Sequence, residues 1–129
     1  MGHYYCSHCE QHYDWCMCAE KENAAAKVDL IGRIFAVSDE ITASGQPRHP
    51  VPILTKTMEE IGELSTEIGI KYFGFYKEPG KDGIIGEAVD AINCLIDLIH
   101  VENPDITPEE LCAMFDKKLA KWKKKAIGE

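Results

Sequence analysis

The stretch 86–100 puts carboxylates on a helix that is apolar almost all round, and few folds accommodate that combination. Val89, Ile92, Leu95, Ile96 and Ile99 surround Glu87, Asp90 and Asp97, with Ala91, Cys94 and Leu98 on the acidic stripe itself. A helix apolar on every side expects burial. A carboxylate carried inside with it is costly unless something cationic meets it. The stretch 57–70 repeats the problem. At about 100° per residue, Glu60, Glu63 and Glu67 share one stripe, and Leu64 lies within it. No basic residue stands at i+4 from Glu60, Glu63, Glu87 or Asp90. Two such stripes facing each other make an oxygen-only cage, which suits Mg²⁺ or Mn²⁺. Glu60, Glu63, Glu87 and Asp90 are the candidate metal ligands. Glu59 and Glu67 fit a solvated helix face equally well.

Glu60-x-x-Glu63, 23 intervening residues and Glu87-x-x-Asp90 resemble the paired helical motif of the MazG-like nucleotide pyrophosphohydrolases, the all-α NTP pyrophosphatase superfamily. Leu64 directly after the second glutamate, a Gly/Lys-rich connection and the apolar helix after Asp90 strengthen the likeness, which covers roughly 27–125. The resemblance implies an all-α bundle of four main helices that hydrolyses a (deoxy)nucleoside triphosphate with Mg²⁺. The bond cut would be the one between the α and β phosphates, giving a monophosphate and pyrophosphate. It also implies a homodimer or homotetramer. On this reading Glu60 or Glu63 orients or deprotonates the attacking water. Asn93, one turn after Asp90, contacts sugar or phosphate, and Asp97 is a further pocket carboxylate. The first helix would line the base pocket, with Asp39 and Glu40 as polar readers near its end.

The resemblance does not extend to 1–20. There Cys6-x-x-Cys9 is followed by Cys16-x-Cys18, with His3, His8 and His12 among them. Four thiols this dense in a reducing compartment point to a structural, tetrahedral Zn²⁺ site. Metal would supply folding energy to a piece too short to build a core. The second pair has a single intervening residue, so a histidine in place of one cysteine stays open, as does a redox-active thiol pair. The domain division is therefore a zinc knuckle over 1–20 and a helical domain over 21–129.

Val28, Ile31, Ile34, Phe35 and Ile41 recur at helical spacing, predicting a first helix over 23–42. Gly45, Pro47, Pro50 and Pro52 then mark a loop, on which Gln46, Arg48 and His49 are expected to be solvated. The second helix begins near Pro52, with Leu54, Met58, Ile61, Leu64 and Ile68 as its core side. Thr57 and Glu60 match a capping box, but the periodicity unbroken from Leu54 argues against a helix start there. The connection 71–85 holds Lys77 and Lys81, candidate phosphate contacts, beside Tyr72, Phe73, Phe75 and Tyr76. It contains no P-loop pattern. His100 reads as a helix-end residue, and Cys94 and Cys112 as core. Thr107, Pro108 and Glu110 announce the last helix, whose apolar stripe is Leu111, Met114, Phe115, Leu119 and Trp122.

The formal charge of −8 argues against a general nucleic-acid binder. No apolar run long enough for a membrane span and no secretory leader are visible, so a cytoplasmic setting is expected. Two other functions compete. A di-iron carboxylate bundle needs Glu-x-x-His on its helices, which is missing here. A non-enzymatic zinc-binding adaptor with dimerising helices leaves the carboxylate quartet unexplained.

Overall fold

Thr107 accepts a hydrogen bond from the backbone N–H of Glu110 at 3.1 Å, and Pro108 occupies the first helical turn. The last helix thus starts where its capping residues place it. It ends at Gly128, whose φ of 83° is the left-handed conformation that glycine adopts without strain. The computed structural model describes residues 18–128, with side chains from residue 23. Cys6, Cys9 and Cys16, expected as zinc ligands, and the side chain of Cys18 lie outside the described residues.

Four helices account for the fold, and there is no strand among the described residues: α1 (Cys18–Ala43), α2 (Pro50–Tyr72), α3 (Gly83–Glu102) and α4 (Pro108–Ile127). The protein is all-α. The described residues divide into two compact units, one containing the chain up to Gly32 and from Thr107 onward, the other Arg33–Ile106. In the first, Ile31 and Leu111 are buried and Gly32 lies against the Pro108 ring. The other four apolar residues of the expected α4 stripe, Met114, Phe115, Leu119 and Trp122, are exposed.

In the second unit α2 and α3 pack along their length. Glu67 meets Gly80 near the connection, Glu60 and Glu63 meet Glu87, and Ile53 shares a cavity with Asp97. Falling numbers on α2 thus match rising numbers on α3, and the pair is antiparallel. α2 begins at His49, whose Nδ1 accepts from the Val51 N–H at 3.2 Å. Thr57 is not a helix start. It is buried in mid-helix, and its hydroxyl donates to the Ile53 carbonyl at 2.8 Å.

The buried side of α2 differs from the one expected. Ile53, Thr57, Glu60, Glu67 and Gly69 are inside, while Leu54, Met58 and Ile61 are exposed. α3 is likewise buried only at Ala91, Ile96 and His100, leaving Ile85, Val89, Ile92 and Leu95 exposed. Glu60 and Glu67 face inward where α2 meets α3, while Leu64 and Ile68 of the apolar stripe are half-buried and its other three residues exposed.

Arg48 holds this unit together from the α1–α2 loop. Its guanidinium pairs with Asp97 on α3 and donates to Ser38 Oγ at 3.1 Å and to Thr42 Oγ1 at 3.2 Å, both on α1. The expected solvated loop residue is therefore half-buried, since three acceptors on two helices converge on one planar fork. Arg48→Met should destabilise the protein by about 2–3 kcal/mol in urea unfolding, because Asp97 loses its counter-charge while still largely covered. Arg48→Lys should recover only part of this, as an ammonium cannot serve all three acceptors in their places.

Nearby, His100 is buried rather than a simple helix-end residue. Its ring stacks on Phe35 with centroids 4.2 Å apart, and Nε2 lies 2.8 Å from Asp39 Oδ1. Asp39 is thus engaged with α3. His100 Nδ1 is buried without a hydrogen-bond partner among the described residues.

Candidate functional site

Glu60 and Glu63 are three residues apart on α2, so both project toward the same neighbour. Glu87 projects from the first turns of α3, and the antiparallel register sets it opposite them. Each of these carboxylates offers one oxygen, and the three oxygens lie within 4.8 Å of one another. Glu60 is buried, Glu87 half-buried and Glu63 exposed, so the cluster runs from the helix interface out to solvent.

Three like charges this close need a counter-charge. Lys56 supplies one, its Nζ lying 3.1 Å from Glu60 Oε1 and 3.5 Å from Glu59 Oε2. The absence of a base at i+4 was thus an incomplete guide, because this partner stands one turn earlier, at i−4. The hydrogen bond to Glu60, then its charge, holds the Lys56 ammonium above its usual pKa. Glu87 has no such help. Its Oε2 is buried without a hydrogen-bond partner among the described residues. Burial first, then the adjoining Glu63 and the charges of Asp90 and Glu60, push its carboxyl above the ordinary range.

This donor set fits Mg²⁺ or Mn²⁺. It is all oxygen, comes from two rigid helices, carries excess negative charge and includes a covered oxygen that no described residue satisfies. Asp90, the fourth expected ligand, lies on an exposed part of α3, outside the three-oxygen cluster, though its charge is felt at Glu87.

Next to the carboxylates is a cavity of about 190 Å³ lined by Gln46, Arg48, Ile53, Lys56, Cys94 and Asp97 among others. Asp97 lines this cavity, and its carboxylate is taken by Arg48. Burial, and then the Glu60 charge, raise the pKa of the Cys94 thiol, which disfavours a reactive thiolate. Asn93 is on the exposed side of α3. Lys77 and Lys81 are on the exposed connection between α2 and α3, outside the helix-borne cluster. Glu67, buried, accepts a hydrogen bond from the Gly80 N–H at 2.6 Å and so ties that connection to α2.

Sequence reasoning did not single out Lys56 or Arg48 at this site. A scan of both i−4 and i+4 positions would have found Lys56, whereas nothing local pairs Arg48 with Asp97, 49 residues away. No protein-family model, no curated protein and no solved structure matches this chain.

Proposed function

We propose that the protein is a Mg²⁺-dependent nucleoside triphosphate pyrophosphohydrolase of the MazG-like kind, cutting between the α and β phosphates. The observation that carries this reading is the convergence of Glu60, Glu63 and Glu87 from two packed helices, with a covered carboxylate oxygen that no described residue satisfies. Glu60, Glu63, Glu87 and, from the rim, Asp90 would hold the metal. Bound there, Mg²⁺ supplies neutralisation of phosphate charge and acidification of water. Glu63 is the exposed member of the cluster and is suited to take the proton of the attacking water. Lys77 and Lys81 on the connection, and Asn93 on α3, would meet the substrate, while Asp97 keeps Arg48 in place at the cavity beside it.

A homodimer or homotetramer belongs to the same proposal. Val51, Leu54, Met58 and Ile61 form an exposed apolar stripe on α2, and Ile85, Val89 and Ile92 form another on α3. A second copy covering them would complete a four-helix bundle about the site. The same stripes also favour a second reading, a non-enzymatic helical adaptor carrying a zinc knuckle. Among the described residues, no helix is long and apolar enough to cross a membrane, so they do not mark a span.

The deciding experiment sets every NTP and dNTP against the protein with Mg²⁺. Monophosphate plus pyrophosphate is expected. Diphosphate plus phosphate would place the cut elsewhere, and intact nucleotide throughout would leave the adaptor. Melting temperature gives an independent readout, since Mg²⁺ with nucleotide should stabilise an enzyme and leave an adaptor unchanged.

A further inference from the structure

We propose that Lys56 is an exchangeable counter-ion. It neutralises Glu60 while no divalent cation is bound, and yields that carboxylate to the metal. Its ammonium then serves the polyphosphate from the adjoining cavity. This inference rests on the acidic cluster being a divalent-metal site.

Two observations meet at this one side chain. Lys56 Nζ is 3.1 Å from Glu60 Oε1, an oxygen on a buried member of the cluster. The same residue lines the cavity that also holds Arg48 and Gln46. The side chain therefore spans two places, the carboxylates on one side and a partly cationic recess on the other.

The pair is built to be broken. The Lys56 side chain is 58% exposed while that of Glu60 is 9% exposed, so only the acid is locked in place. A half-wet ion pair is weak, and the lysine already has a second carboxylate within reach, Glu59 at 3.5 Å. Lysine also suits the task better than arginine, as a compact charge on a flexible four-carbon stem rather than a rigid fork. Arg48, by contrast, is fixed by Asp97, Ser38 and Thr42 and cannot swing.

A divalent cation and an ammonium compete for the same carboxylate. Removing the ammonium should therefore tighten metal binding while weakening binding of a polyphosphate to the metal-loaded protein. A purely structural lysine would do neither in that combination.

The test uses the full chain and its Lys56→Met and Lys56→Arg variants. Free Mn²⁺ is titrated in by electron paramagnetic resonance, without nucleotide. Lys56→Met should bind Mn²⁺ roughly three- to tenfold more tightly than wild type, while Lys56→Arg, which keeps the charge, stays near wild type. The metal-free Lys56→Met protein should melt lower, with the deficit erased by saturating Mn²⁺. In saturating Mn²⁺, inorganic triphosphate should bind Lys56→Met about tenfold more weakly. Unchanged or weaker Mn²⁺ binding in Lys56→Met overturns the proposal, and so does unchanged triphosphate binding. If wild type takes up no Mn²⁺ at all, the metal-site reading itself falls and takes this inference with it. Normal uptake by wild type with no effect of Lys56→Met defeats the inference alone.

Discussion

Glu63→Gln is expected to lower Mg²⁺-dependent release of pyrophosphate from nucleoside triphosphates by at least about a hundredfold, with the fold intact. The substitution keeps shape and removes one unit of negative charge and a proton acceptor. Glu63 is exposed, so its amide costs little in packing and the melting temperature should stay close to wild type. Asp90→Asn is expected to do the same. Asp90 stands outside the three-oxygen cluster but one turn along α3 from Glu87, whose ionisation its charge already opposes. Initial rates and circular dichroism on the same samples check both statements. Near-full turnover in either variant would remove that residue from the site.

Glu87→Gln is expected to abolish the same activity and yet to stabilise the metal-free protein. The Glu87 carboxyl is raised above its usual range by burial and by Glu63, Asp90 and Glu60. A folded state that raises an acid's pKa binds its proton more tightly than the unfolded chain does. Metal-free stability therefore falls as pH rises from the ordinary glutamate range through the raised value, and the full penalty is present above it. The glutamine variant escapes that penalty. Its melting temperature should exceed wild type by a few degrees near neutral pH, and the two curves should converge once pH drops below the ordinary glutamate range. Saturating Mg²⁺ should raise wild type and flatten its pH dependence, while helping Glu87→Gln much less. A metal-free Glu87→Gln protein less stable than wild type at neutral pH would show that the carboxylates do not repel one another.

Local signals reported local structure well. Thr107, Pro108 and Glu110 located the start of α4 to the residue, because capping is chemistry between groups three positions apart. The division into four helices followed from 3.6-residue periodicity and from the Gly45–Pro47 and Gly80–Gly83 interruptions. Long-range pairings were not legible in the same way. Nothing near Asp39 names His100, 61 residues on, and nothing near Arg48 names Asp97. Periodicity also misassigned the inner face of α2. It ranks stripes by hydrophobicity, and here the stripe turned toward α3 is Ile53, Thr57, Glu60 and Glu67, while Leu54, Met58 and Ile61 remain exposed.

By itself, the order of residues determined that this chain is helical, where α4 begins, and that Glu60, Glu63, Glu87 and Asp90 come in two helically spaced pairs. Spacing along one helix is enough for that, since backbone geometry converts it directly into direction. Only the tertiary structure decided that Glu60, Glu63 and Glu87 meet, that Asp90 stands exposed outside their cluster, that Lys56 answers Glu60, and that Arg48 clamps α1 to α3. Those outcomes depend on the register between α2 and α3, and register is a property of two surfaces fitting together, which neither stretch carries alone.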